Sequence, residues 1–235
     1  EYEVGKNILL PYLLNKKVIK LDYIIISHFD TDHCDGILYI MEKIKVETVI
    51  IGKQYESSEN YERFKKIVKE KKIKVKLVEA KNKINIENDL YIDVLWPNSK
   101  NMISENAINN NSLVCKLVYK NFSIMFTGDI ERIAEKAILT EYVKTSDVLR
   151  ADVLKVAHHG SKTSSIEEFI DAVNPNYAII GVGENNKFGH PSNITIKNLE
   201  DRNIEIYRTD QMGEIIIKTD GRKCSIRKYI ENKNV

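Results

Sequence analysis

Residues 27–36 read SHFDTDHCDG and follow the apolar run LDYIII at 21–26. The run reads as a buried strand, and the segment after it carries His28, Asp30, Asp32 and His33. Alternation along an extended chain puts positions 28, 30 and 32 on one side. His33 is expected to turn into a helix beginning near Asp35 or Gly36. A polar turn that merely caps a helix needs one aspartate. Two histidines and two further aspartates at this spacing would crowd like charges without a cation. Two metal ions about 3.5–4 Å apart do need this density, because each takes several ligands and shares a bridging oxygen. His28, Asp30, Asp32 and His33 are therefore expected metal ligands.

The chain has 235 residues, 43 % of them hydrophobic and 30 % charged, enough for a sizeable core in one large domain or two small ones. A net charge of +2 excludes a nucleic-acid binder recognisable by charge alone, though not a local basic groove. The three cysteines, Cys34, Cys115 and Cys224, have no close spacing, which argues against a disulfide framework and against a zinc ribbon. Cys115 and Cys224 fall in apparent strands and are expected as buried thiols. No run approaches the ~18 apolar residues of a membrane span. The first residues, EYEVGKNILLPYLL, show no signal-peptide cleavage pattern and no Met, so a piece of a longer protein is expected.

Short β-branched runs recur, at 23–27, 48–52, 73–78, 90–96, 113–119, 122–128, 152–157, 177–182, 214–218 and 223–229. Bounded by Asn, Gly, Pro and Lys, they read as strands. Helical spacing appears in SSENYERFKKIVKEKK, with Tyr61, Phe64, Ile67 and Val68 on one stripe, and again in IERIAEKAILTEYV. SSIEEFIDAVNP places Ser165 and Glu168 at capping-box spacing, and 193–202 reads as a last short helix. The Asn-rich stretch 98–112 reads as a surface loop. Alternating strands and helices, many strands joined by turns alone, predict an α/β fold of mixed sheets with helices outside.

Three more places carry chemistry, each just after a predicted strand, where α/β folds gather site residues. FTGD ends in Asp129, with Gly128 allowing a sharp turn. KVAHHGSKTSS holds His158 and His159. His158 is the expected ligand, and His159 an outer group or proton donor. Ser161 and Lys162 precede a helix start and suit an anionic substrate group. NNKFGHPS holds His190. Lys155, Lys162 and Lys187 suit phosphates or simple surface solubility equally.

The order H-x-D-x-D-H, T-G-D, H-H-G-S, G-H-P resembles the metallo-β-lactamase-fold hydrolases, with Asp30 where that superfamily usually has a histidine. The fuller set SHFDTDHCDG, FTGDIE, LKVAHHGSKTSS and YAIIGVGENNKFGHPS is similar to the soluble C-terminal domain of the ComEC-type competence proteins and their free-standing relatives. The resemblance implies one αββα sandwich domain over 1–235, apparently lacking its first N-terminal strands. It implies metal ligands His28, Asp30, Asp32, His33, Asp129 and His158. Asp32, His159 and His190 would handle water and protons, and Ser161 and Lys162 a substrate phosphate. Where the superfamily has a further histidine ahead of the T-G-D strand, this chain reads AINNNSLV at 107–114. Two divalent ions, Mn²⁺ or Zn²⁺, are implied. Asp30 hardens the site toward Mn²⁺. The implied substrate is DNA, single-stranded in the uptake setting. The domain would be cytoplasmic if free-standing and envelope-associated if joined to a DNA-uptake channel. Two other readings stay open: a hydrolase of a small ester, thioester or lactone, and a non-catalytic DNA-binding or regulatory module.

Overall fold

Strands form where β-branched residues can fill a pleated surface, and helices where an apolar stripe can cover it. The computed structural model describes residues 3–53 and 58–230. Ser57, at the head of one predicted helix, lies outside the described residues. The chain divides into two compact units, Glu1–Ala80 with Pro97–Leu113, and Lys81–Trp96 with Val114–Val235.

The first unit holds a parallel sheet in the order β1-β2-β3, from β1 (Lys20–Ile26), β2 (Lys45–Gly52) and β3 (Lys74–Val78). Helix α1 (Leu10–Asn15) precedes it, and α2 (Thr31–Lys43) and α3 (Glu59–Lys71) make the crossovers. Cys34, Leu38 and Met41 of α2 pack with Ile24, Ile26, Val49 and Ile51 of the sheet and Phe64 and Ile67 of α3. Each large apolar side chain so buried contributes about 1.5–3 kcal/mol. Ser58 accepts the Tyr61 N–H at 3.1 Å and starts α3. Gly52 ends β2 where a Cβ would lie 2.9 Å from Pro97 Cδ, so this position admits no side chain without displacement.

The Asn-rich stretch departs from the expected surface loop at its end, 107–112, whereas 98–106 stays exposed or half-buried. Asn109, Asn110, Asn111 and Ser112 are buried, partly within the short helix α4 (Ala107–Asn110). The amides make this possible by serving backbone groups that would otherwise need water. Asn111 accepts from the Ile103 N–H at 3.0 Å and donates to the carbonyls of Ile103 and Ala107, both at 2.7 Å. Asn110 donates to the Glu105 carbonyl at 2.8 Å. Asn111→Ala is expected to cost about 1–3 kcal/mol, since it takes the amide partner from the part-buried Ile103 N–H and the Ile103 and Ala107 carbonyls. Urea denaturation of the variant checks this, and an unchanged midpoint would contradict it.

The second unit holds a sheet in the order β10-β9-β8-β7-β6-β5-β4. β4 (Lys83–Glu87), β5 (Leu90–Trp96), β6 (Val114–Tyr119) and β7 (Phe122–Phe126) run antiparallel. β7, β8 (Val153–Lys155), β9 (Tyr177–Ile180) and β10 (Glu205–Arg208) run parallel. Helices α5 (Arg132–Glu141), α6 (Glu167–Val173) and α7 (Asn193–Glu200) lie between the parallel strands in sequence. α8 (Thr209–Met212) and a hairpin, β11 (Ile215–Thr219) with β12 (Cys224–Lys228), follow. β4 and β10 escape sequence reading because they are the two sheet edges, where short, charge-bearing strands are the rule. Cys115 is buried as expected, whereas Cys224 in the terminal hairpin is only half-buried.

The expected capping box is replaced by a longer-range cap. Ser165 lies two residues before α6 with a left-handed φ of 60°. Its N–H and that of Ile166 donate to the two carboxylate oxygens of Glu135, at 2.6 and 3.0 Å. Among the described residues no helix is long and apolar enough to cross a membrane.

Candidate metal centre

In the first unit the ligand loop is shaped from its odd-numbered side. Phe29 is buried against Tyr61 and Phe64, with ring centroids 5.0 and 5.2 Å away. Asn60 of α3 donates to the Phe29 carbonyl at 3.1 Å and to Thr31 Oγ1 at 3.2 Å. His28 and Asp30 are thereby turned away from α3. The helix starts earlier than expected, at Thr31, because the Asp30 carbonyl accepts the N–H groups of His33 and Cys34, both at 3.0 Å. Asp32 and His33 therefore sit in the first helical turn and not on an extended run.

Asp30 occupies the N-cap position, yet its side chain makes no capping hydrogen bond. Its Oδ2 lies 3.7 Å from His28 Nε2, and Asp32 Oδ2 lies 3.7 Å from His33 Nε2. The two imidazoles tilt against each other with centroids 4.1 Å apart. Ser27, to which the sequence assigned no role, approaches both rings, with Oγ 3.1 Å from His28 Nδ1 and 3.4 Å from His33 Nδ1. Both Nε2 atoms thus face carboxylates. The Leu113 N–H donates to the Ser27 carbonyl at 2.8 Å, which ties the AINNNSLV stretch to the ligand loop. Cys34 takes no such part: it is fully buried, and burial pushes its thiol up to about 12.

In the second unit, β7, β8 and β9 are parallel neighbours, so the segments leaving their C-terminal ends lie side by side. These segments carry Asp129, the His158–His159 pair and His190. Gly128 turns with φ 55° and presents the buried Asp129. Asp129 Oδ2 lies 3.5 Å from His159 Nε2 and 4.0 Å from His158 Nε2. His158 and His159 both hold left-handed φ, 48° and 54°, a sparsely populated conformation for non-glycine residues and one found at functional sites. Gly160 follows with φ 83°, and a Cβ there would lie 2.6 Å from Pro191 Cβ. His159 Nδ1 lies 2.6 Å from the Gly181 carbonyl. That carbonyl can only accept, so Nδ1 carries a proton, and in the neutral ring Nε2 turns its lone pair toward Asp129.

His158 Nδ1 lies 3.7 Å from Glu131 Oε1, and Thr163 Oγ1 donates to the same carboxylate oxygen at 2.9 Å. Glu131 is a second residue that the sequence reading passed over. Its i+2 spacing from Asp129 in TGDIE was the available signal. His190 meets His158 edge to face at 5.7 Å, and burial, then His158 and His159, hold it below the ordinary imidazole value. Ser161 is buried, with its Oγ taken up by the Thr163 hydroxyl and N–H at 3.0 and 3.3 Å, which leaves it little scope to meet a substrate. Lys155 turns inward to the Val156 carbonyl at 3.0 Å, and burial lowers its pKa. Lys162 and Lys187 are exposed.

The donor sets suit divalent ions. Imidazole nitrogens and carboxylate oxygens stand 3.5–4.0 Å apart, wider than a hydrogen bond. Two donors each about 2.0–2.2 Å from a common tetrahedral cation stand about 3.3–3.6 Å apart, so the His159–Asp129 pair matches that separation and the other pairs lie slightly wider.

A model of the metallo-beta-lactamase superfamily matches residues 2–184. ComE operon protein 3 of Bacillus subtilis (strain 168) is 33% identical over 228 residues, 97% of this chain and 28% of that protein. Competence protein ComA of Neisseria gonorrhoeae is 27% identical over 209 residues, 88% of this chain and 26% of that protein. The chain thus spans little more than a quarter of these relatives. Among solved structures, CmlA, a diiron beta-hydroxylase from Streptomyces venezuelae, aligns with TM-score 0.57 and 14% identity over 81% of this chain and 44% of that one.

Proposed function

Because the chain belongs to the metallo-β-lactamase superfamily, a family of metallohydrolases, we propose that it is a phosphodiesterase that hydrolyses DNA with divalent metal ions, Mn²⁺ or Zn²⁺. His28, Asp30, Asp32, His33 and Asp129 serve as ligands, joined by His159 ahead of His158. The observation that carries this reading is the orientation of His159, whose Nδ1 is fixed on the Gly181 carbonyl while Nε2 faces Asp129. A histidine held this way presents Nε2 to a cation bound beside Asp129.

When bound, the ions supply Lewis acidity and a water acidic enough to ionise near neutral pH. The chain's own groups do the rest. Asp32, the most exposed of the carboxylates in the two clusters, orients the attacking water. Glu131 steadies His158, and His190, kept mostly neutral by its lowered pKa, relays a proton from water to the leaving oxygen. Lys162 meets a phosphate of the substrate. DNA as substrate is supported by the similarity to proteins named for competence, the uptake of DNA. Single-stranded DNA fits that process best. Joined to a DNA-uptake channel, the chain would work at the cell envelope.

The test is cleavage of single- and double-stranded DNA with Mn²⁺, Zn²⁺ or EDTA, beside Asp30→Ala, His158→Ala and His159→Ala. Cleavage is expected with metal and not with EDTA. Asp30→Ala and His159→Ala should lose about 10²-fold or more, as expected when several kcal/mol of charge stabilisation go. His158→Ala should lose less. A wild-type chain that binds no divalent ion by elemental analysis and cuts no phosphodiester would overturn the reading.

A further inference from the structure

The loop between β9 and α7 displays one aromatic ring to solvent. Phe188 is 82% exposed, the most exposed aromatic of the second unit. It is nevertheless not loose. Asn186 Oδ1 accepts the N–H groups of Phe188 and His190 at 3.2 and 3.0 Å, and its Nδ2 donates to the His190 and Gly183 carbonyls at 2.7 and 3.3 Å. One face of the Phe188 ring stacks on His190, with centroids 5.9 Å apart and planes at 19°. His190 in turn meets His158 at 5.7 Å. An exposed ring is thus backed by a histidine, held by a four-bond asparagine staple, two ring contacts from the histidine pair facing Asp129.

We propose that Phe188 is a stacking platform for a base of the nucleic-acid substrate, with Lys187 beside it to meet a phosphate. This rests on the DNA-hydrolase reading above. The rest of the loop favours a base over a protein partner. Glu184, Asn185, Asn186, Lys187 and Gly189 flank Phe188 in the loop, so the loop offers no second apolar side chain to build the kind of patch protein interfaces use. A lone flat ring next to a cation is the usual equipment for single strands, since every base has a face to stack and every linkage a negative charge. Phe188 is a positioning residue: it would hold a nucleotide near the histidines without touching the scissile bond.

Wild type, Phe188→Ala and Phe188→Trp should be compared for binding to a labelled thymidine decamer and to a sugar-phosphate decamer without bases, by fluorescence anisotropy. Phe188→Ala is expected to weaken thymidine binding by roughly 5- to 160-fold, the range for loss of one stacked base. It should leave the base-free oligomer within about twofold, the tolerance expected where no stacking is lost. Phe188→Trp should restore thymidine binding. In cleavage assays the loss in Phe188→Ala should appear in KM, with kcat at saturation held. Equal loss on both oligomers, no loss on either, or no binding of either by wild type would overturn the platform. The two readings fail separately. Base-dependent binding with no cleavage under Mn²⁺ or Zn²⁺ would keep the platform and remove the hydrolase. Metal-dependent cleavage that is indifferent to Phe188 would do the reverse.

Discussion

Asp129→Ala is expected to stop metal-dependent hydrolysis and to lower the bound-metal content, while the chain remains folded. Asp129 is buried, and its Oδ2 faces both His159 Nε2 and His158 Nε2. Removing it takes away a carboxylate that both imidazoles approach. Loss of several kcal/mol of transition-state stabilisation corresponds to about 10²- to 10³-fold in kcat. Asp129→Asn keeps the shape and loses the charge, so it separates a packing effect from a ligand effect. Elemental analysis and turnover should fall together in both variants, with the thermal midpoint of the Asn variant little changed. Full metal content with full turnover in the Asn variant would exclude Asp129 from the centre.

Glu135→Ala is expected to destabilise the second unit by about 2–6 kcal/mol. Glu135 is fully buried, and its two oxygens accept the backbone N–H groups of Ser165 and Ile166. Each buried donor left unserved costs about 1–3 kcal/mol. Burial pushes the Glu135 carboxyl up to about 7, against the two hydrogen bonds that favour its charged form. The sign follows from linkage. A carboxyl whose folded pKa lies above its unfolded value near 4.5 stabilises the fold fully below 4.5. It loses that contribution as pH rises through about 7. Urea midpoints of wild type and Glu135→Gln between pH 5 and 8 test this. The wild type should weaken relative to the variant as pH rises. Parallel profiles would show that the buried carboxyl does not titrate in this window.

Much of the candidate site was legible because its residue types are costly elsewhere. Histidine and aspartate at alternate positions after an apolar strand have few structural uses, and His28 and Asp30 emerge on one side because Phe29 is drawn into the core. Gly128 before Asp129 was legible for the same reason: a sharp turn needs its positive φ. The residues that were missed, Ser27 and Glu131, have ordinary alternative roles as loop and capping groups. Only their distances, 3.1 Å from His28 and 3.7 Å from His158, draw attention to them.

The sequence by itself determined the family, the alternation of strands and helices, and the positions at which ligand types occur. These follow from local periodicity and from residue chemistry, which a linear pattern can carry. The tertiary structure alone decided the contacts between residues far apart in the chain. His159 Nε2 lies nearer Asp129 than His158 Nε2 because two successive left-handed residues break the alternation a strand would impose, and the Gly181 carbonyl then fixes the ring. Helix α6 is capped by Glu135 from about thirty residues away, not by its own Ser165. Asn110 and Asn111 are buried because their amides serve backbone groups of residues 103–107, a pairing that no linear pattern announces. A side chain's direction and its hydrogen-bond partners depend on what packs against it, and that is not a local property of the chain.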